Sequence, residues 1–250
     1  MMRVLCLLLA LAAPAAAEEI VAGLSRGSVA ITADFTGEEI LIYGAVKRQA
    51  PPPAGPLDVA ITVEGPSSAV AVRRKARVWG IWMNTDSVWI DAAPTLYAVA
   101  STGPLDAILS PETDLVHRIS IPRAIRATGA AGRSSEAPAF VAALLRLRAA
   151  EGRYEAPGRG VQLVEDTLFR TDIRLPPDLT EGDYRVRMFL LRGGRVVDRT
   201  EAMIPVRKAG IERAIFTLSQ SQPLLYGLLS VVLAVAAGWG ASAAFRLLRW

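Results

Sequence analysis

The sequence predicts a mainly β protein: immunoglobulin-like β-sandwich regions interrupted by a helical insert and followed by one C-terminal transmembrane helix. Three observations carry this reading. Short strand-like runs occur from Ser28 to Glu64, beginning with the alternating "SVAITADF", and apolar and polar residues alternate again from Leu168 to Lys208. The alternation stops between Pro104 and about Tyr154, where helical spacing replaces it. No charged residue occurs between Arg213 and Arg246.

The N-terminus, "MMRVLCLLLALAAPAAAEE", has Arg3, an apolar run from Val4 to Ala13, a breaker at Pro14 and small residues at Ala15 and Ala17. That order predicts a secretory signal peptide over residues 1–17, cut between Ala17 and Glu18. The apolar run falls short of the roughly 20 residues that a membrane span needs. Cys6 lies inside the run, so it leaves with the signal instead of becoming an acylated first residue.

The C-terminal run from Pro223 to Phe245 is almost wholly apolar and lacks the polar stripe of a buried core helix. At 1.5 Å per residue it covers roughly 30 to 35 Å, enough to cross a bilayer. Tyr226 at one end and Trp239 and Trp250 towards the other suit interfacial positions, and Arg246 and Arg249 suit a cytoplasmic flank. The expected topology is a single pass of the inner membrane, with the bulk of the chain in the periplasm and residues 246–250 in the cytoplasm. Gly240 and Ala244 have a small-xxx-small spacing that permits close approach of a second helix.

Composition narrows the function classes. The 28 basic and 24 acidic residues leave a net charge of +4, too small and too dispersed to predict nucleic acid as a partner. Without the signal no cysteine remains, so a core and not a disulfide must hold the exported part together. His117 is the only histidine, which rules out a multi-histidine metal site, and no cofactor or metal is expected. "GLSRG", Gly23 to Gly27, matches a nucleophile-elbow pattern at Ser25, but a strand-like run follows it where an elbow requires a helix. An enzyme is not expected. His117 reads as flanking a short helix started by Ser110 and Pro111.

Along the chain, "SVAITADF" is a strand with Val29, Ile31 and Ala33 on one face. "EEILIYGAV" is apolar on both faces and predicts a central strand covered on each side. The Pro-rich "QAPPPAGP" is an extended connection to the strand in "LDVAITVEGP". Next come the basic run "RRKAR", Arg73 to Arg77, and "VWGIWMNTDSVWI", Val78 to Ile90. The pattern predicts a hairpin with an outgoing strand from Val70 to Met83, a turn at "NTDS" and a return strand from Val88 to Ile90. Neither face of the outgoing strand is polar, so the favoured reading makes the hairpin core, with Trp82 buried. The functional alternative is an aromatic shelf of Trp79 and Trp82 beside Arg73, Lys75 and Arg77, on which a glycan or small anion could bind. Arg73, Lys75 and Arg77 alternate onto one face at an exposed edge.

In the insert, "PLDAILSPETDLVHRI" and "APAFVAALLRLRAAEGRY" read as helices, the second with Phe140, Val141, Leu144, Leu145 and Leu147 opposed by Arg146, Arg148 and Glu151. β character then returns. Phe169, Thr171, Ile173 and Leu175 share one face, as do Tyr184, Val186, Met188 and Leu190, and "RGGR" is a hairpin turn. Tyr184 in "LTEGDYRV" resembles the tyrosine corner of immunoglobulin-like sandwiches. The expected divisions are residues 18–103 (β), 104–156 (helical insert), 157–210 (second β part) and 223–245 (membrane helix).

Taken together, the signal peptide, "ADFTGEEILIYGAV", "VWGIWMN", the late β region and the C-terminal helix resemble the alphaproteobacterial putative transmembrane protein family. The resemblance brings no catalytic or binding residue to this chain. It implies an accessory role in the inner membrane beside a sulfite or anion exporter-type permease, because members of the family are encoded next to such permeases. The expected partners are therefore the lipid bilayer, through the C-terminal helix, and a membrane protein.

Overall fold

The computed structural model describes residues 18–32, 34–128, 136–156, 160–210, 215 and 218–247. The signal-peptide reading, Ala33 and the last three residues of the tail lie outside them. The strands are β1 (Glu18–Leu24), β2 (Val29–Ile31), β3 (Glu38–Arg48), β4 (Leu57–Glu64), β5 (Ser67–Val78), β6 (Ile81–Pro94) and β7 (Tyr97–Ser101), then β8 (Tyr154–Glu155), β9 (Gln162–Val164), β10 (Leu168–Leu175), β11 (Gly182–Arg192) and β12 (Arg195–Lys208). Between β7 and β8 lie helices α1 (Leu105–Ile108), α2 (Pro111–His117), α3 (Ile121–Ala124) and α4 (Ala137–Ala150), and α5 (Pro223–Leu247) follows β12. The protein is mainly β with one apolar C-terminal helix.

The strands form a four-stranded sheet, β1-β3-β10-β9, a six-stranded sheet, β2-β12-β11-β4-β7-β8, and the two-stranded ribbon β5-β6. Both larger sheets mix strands from before and after the helical insert: β10 pairs antiparallel with β3, and β11 with β4. The early and late β segments therefore build their sheets jointly.

Period-two patterning reappears as alternate burial. Along β10, Phe169, Thr171, Ile173 and Leu175 are buried while the residues between them are exposed. At about 1.5 to 3 kcal/mol per fully buried large apolar side chain, one such face outweighs any local preference of the strand. β3 is central, between β1 and β10, and buries Ile40, Ile42 and Val46. Its other face is not covered as expected: Tyr43 is 48% exposed. β4 and the end of β11 are buried on both faces, since the helical insert covers the outer side of the six-stranded sheet.

Polar contacts tie the two sheets together. The Asp198 carboxylate on β12 accepts the Ile20 N–H of β1 at 2.7 Å. Glu18, 1% exposed, pairs with Arg48 of β3 at 2.9 Å and with Arg192 of β11 at 2.8 Å. Burial alone would push the Glu18 carboxyl up, but hydrogen bonds and charge from Arg192 and Arg48 outweigh it and hold it below the usual carboxylate range.

The first helical segment is broken into α1 and α2 at Leu109–Ser110. Ser110 caps α2 by accepting the Thr113 N–H at 3.2 Å, Pro111 opens the helix and His117 lies in its last turn. In α4, Phe140 and Leu144 are buried against β5, β6 and β8, whereas Leu147 is 56% exposed because it lies past the edge of that contact. Tyr154 ends not in a helix but in β8, paired parallel with Tyr97. The Gly193–Gly194 turn joins β11 to β12 with positive φ at both residues, as the "RGGR" pattern requires. The Tyr184 hydroxyl donates to the Thr180 carbonyl at 3.0 Å, the local bond expected of a tyrosine corner.

The chain divides into two compact units, the second formed by Ala30–Phe35 and Arg207–Trp250. Within the second unit the Ala209 N–H donates to the Ile31 carbonyl at 2.8 Å. Helix α5 is 25 residues long, and its stretch Pro223–Ser242 is long and apolar enough to cross a membrane, with none of that stretch buried.

Candidate functional site

The ribbon β5–β6 turns at Trp79–Gly80, a two-residue turn with φ of 52° at Trp79 and 84° at Gly80. The turn expected at "NTDS" is not formed. Asn84 and Asp86 are instead ladder residues of β6, opposite Lys75 and Arg74, with a bulge between them. Gly80 explains the choice: a two-residue hairpin turn needs positive φ, and glycine reaches it without penalty.

This register decides which side chains share a face, because directly paired residues point the same way. Trp82 pairs with Arg77, Asn84 with Lys75, Ser87 with Arg73 and Trp89 with Ala71. Arg73, Lys75 and Arg77 therefore alternate along the face that carries Trp82 and Trp89. The opposite face has Val78 against Ile81 and Ala76 against Met83 at the tip, and Val72 against Val88 at the base.

Only the base is core. Val72, Val88 and Ile90 are buried with Phe140 and Tyr97, but no residue from Arg73 to Ser87 is buried. Trp79 is 98% exposed, Trp82 67%, Ile81 66% and Trp89 60%. The expectation that the hairpin is core with Trp82 buried is thus wrong beyond Val72. A strand apolar on both faces needs a covering layer on each side to be buried, and among the described residues none buries any side chain from Arg73 to Ser87. Each large apolar side chain left out forgoes about 1.5 to 3 kcal/mol, so Trp79, Ile81, Trp82 and Trp89 make the ribbon an exposed apolar surface.

The ribbon is braced where it leaves the core. Arg74 pairs with Asp86 at 2.9 Å and with Glu136, just before α4, at 3.0 Å, and its guanidinium lies 5.6 Å from the centre of the Phe140 ring. The hydrogen bond from Arg74 holds the Asp86 carboxyl below the usual range. Among the described residues no ion pair neutralises Arg73, Lys75 or Arg77; Arg77 instead donates through Nε to the Gly80 carbonyl at 3.2 Å, across the turn. The five residues expected at the site, Arg73, Lys75, Arg77, Trp79 and Trp82, are therefore together on one exposed ribbon. Trp89, Ile81 and Met83 complete it, and the bracing role of Arg74 had no sequence signal, since Glu136 is 62 residues away.

Ser25 sits between β1 and β2, its Oγ accepting the Leu41 N–H at 3.1 Å, so no strand–elbow–helix surrounds it. Among the described residues no group of three or more His, Cys, Asp and Glu side chains is placed to hold a metal ion. His117 packs edge-on against Phe189 at 5.8 Å, and burial, followed by the charges of Arg199 and Arg187, lowers its pKa.

Residues 19–247 match the family described as "Putative transmembrane protein (Alph_Pro_TM)", and the chain belongs to that family. It is a membrane protein with one candidate span near the C-terminus. No curated protein matches it. Among solved structures it is similar to Spo0M, a sporulation control protein from Bacillus subtilis, with 11% identity, a TM-score of 0.27 and coverage of 82% of this chain and 55% of that one. The chain spans about half the length of Spo0M, and a likeness this distant carries no argument.

Proposed function

We propose that this protein is a non-enzymatic accessory protein of the inner membrane: a periplasmic β-sandwich, anchored by α5 with its C-terminus in the cytoplasm, that engages a membrane-protein partner through the β5–β6 hairpin. The partner that the family resemblance names is a sulfite or anion exporter-type permease. The observation that carries the reading is the exposed tip, with Trp79, Ile81 and Trp82 all more than half exposed beyond the Arg74 brace. Exposed aromatic anchors with arginine at their rim are the composition of interaction hot spots.

A second reading is favoured by the pairing of Trp82 with Arg77: a glycan or small anion bound on Trp79 and Trp82 with Arg73, Lys75 and Arg77. Small ligands gain most from concave sites that bury them on several sides, and a two-stranded ribbon offers one flat face at a time. The larger partner is therefore preferred.

Purification of the intact protein from mild detergent, beside a variant with Trp79→Ser and Trp82→Ser, tests the proposal. The expected result is recovery of the permease with the native chain and its loss from the variant, with the same melting curve for both. Equal recovery would remove the hairpin from the interaction. Glycan binding abolished by the same two changes, with no permease recovered, would favour the second reading.

A further inference from the structure

We propose that Arg118, Arg126, Arg185 and Arg187 form a binding pocket for a small dianionic oxyanion of the phosphate type, free or as the ester of a small molecule or lipid headgroup. The site is separate from the hairpin tip and rests on no part of the reading given for it.

The four arginines line one cavity of about 330 Å³, together with Glu64 and Ser67. A water molecule occupies about 30 Å³ of liquid, so the space suits an ion or ester several times larger. Two of the charges are already answered: Arg187 lies 4.0 Å from Glu64, and Arg185 pairs with Glu201 at 3.3 Å. Arg118 and Arg126 have no ion-pair partner among the described residues. The surplus is thus two positive charges in one concave space, which a dianion would neutralise. Ser67 at the wall donates its hydroxyl to the Glu64 carboxylate at 3.4 Å, and guanidinium forks match tetrahedral oxyanions in geometry.

The frame that holds these arginines is rigid. Arg185 and Arg187 alternate on β11, with Glu64 of β4 paired directly to Arg185. Arg187 donates to the His117 carbonyl at 2.7 Å, to the Arg118 carbonyl at 3.0 Å and to the Tyr97 hydroxyl at 3.0 Å, which fixes the end of α2 against the sheet. Arg118 itself caps α2 with φ of 51°, a conformation that favours glycine or asparagine. Arg126 is pinned by two backbone hydrogen bonds with Ala92 of β6, at 3.1 and 2.9 Å. Both unpaired arginines therefore extend from backbone positions set by other interactions, so anion binding need not order the chain first.

The test uses the full chain in a non-ionic detergent, titrated calorimetrically with inorganic phosphate at constant ionic strength set by chloride. Saturable binding is expected, weakened about tenfold or more by Arg118→Gln with Arg126→Gln, since each change removes a charge-assisted contact. Both side chains are exposed and unpaired among the described residues, so the variant should keep the native melting temperature in the absence of phosphate. Lys47→Gln with Arg146→Gln, exposed cations that do not line the cavity, should leave phosphate affinity unchanged, which separates the site from the general surface charge. The same titration in nanodiscs distinguishes the sources of the group: phosphate binding lost in phosphatidylglycerol discs but kept in phosphatidylcholine discs assigns a lipid headgroup, and equal binding in both assigns a soluble anion. Absence of saturable phosphate binding in micelles and in phosphatidylcholine discs, or native affinity in a folded Arg118→Gln/Arg126→Gln variant, would overturn the proposal.

Discussion

Trp82 stands directly opposite Arg77 on the β5–β6 ladder, and both residues are exposed. The pairing puts an indole and a guanidinium on one face beyond the last buried pair of the ribbon, Val72 and Val88. Trp82→Ala should therefore change stability by no more than about 0.5 kcal/mol, the range of ordinary surface substitutions. Phe189→Ala, at a site only 1% exposed, should cost about 3 to 5 kcal/mol. Urea melts of the two variants make the comparison, and a loss at Trp82 as large as that at Phe189 would return the tip to the core.

At the turn, Trp79 holds a φ of 52° that a bulky residue seldom adopts. Trp79→Asn creates the Asn-Gly pair that two-residue turns favour and should leave stability equal or raise it by up to about 1 kcal/mol. A drop in the chemical-denaturation midpoint would show that Trp79 makes a stabilising contact within the chain.

Glu18→Gln should cost about 3 to 5 kcal/mol, because it leaves Arg48 and Arg192, both largely buried, without their shared counter-charge. Arg192→Gln, which leaves Glu18 one partner, should cost less. Thermal melts in the same buffer rank the two.

Acid should destabilise the protein in two stages. The pKa of His117 is lowered in the folded chain, so the unfolded chain binds its proton first and stability falls as pH drops below about 6.5. Glu18 is also lowered; its contribution is complete above the unfolded carboxylate value of about 4.3 and is lost as pH falls through the folded value. Melting temperatures measured from pH 8 to pH 2 should show the first stage removed by His117→Gln and the second, below about pH 4.3, reduced by Glu18→Gln. Unaltered profiles in the variants would assign the acid response to other groups.

The only cysteine is Cys6, inside the expected signal peptide, so single introduced thiols report topology without background after processing. Ser87→Cys should react with a membrane-impermeant maleimide in intact spheroplasts, and Trp250→Cys only after lysis. The reverse pattern would invert the proposed orientation. N-terminal sequencing of the same material should begin at Glu18.

The local elements were legible wherever one short-range rule decides them. Alternation marked Phe169 to Leu175, two glycines marked the turn at Gly193–Gly194, Ser110 and Pro111 marked the start of α2, and an uncharged run marked α5. The hairpin was legible only as far as its existence, because "NTDS" and "WG" both satisfy turn chemistry and the ladder register selects between them.

By itself, then, the sequence determined a mainly β chain with a helical insert and an apolar C-terminal helix, because periodicity and the absence of charge are local properties. Tertiary structure decided what faces solvent. Tyr43 and Trp82 lie in runs as apolar as those of β4, yet only β4 has a layer on each side. It also gathered Arg118, Arg126, Arg185 and Arg187 around one cavity from an insert loop and a late strand. Burial and charge clustering depend on which distant segments meet, and hydrogen bonds such as those between β3 and β10 set that meeting, which no local pattern encodes.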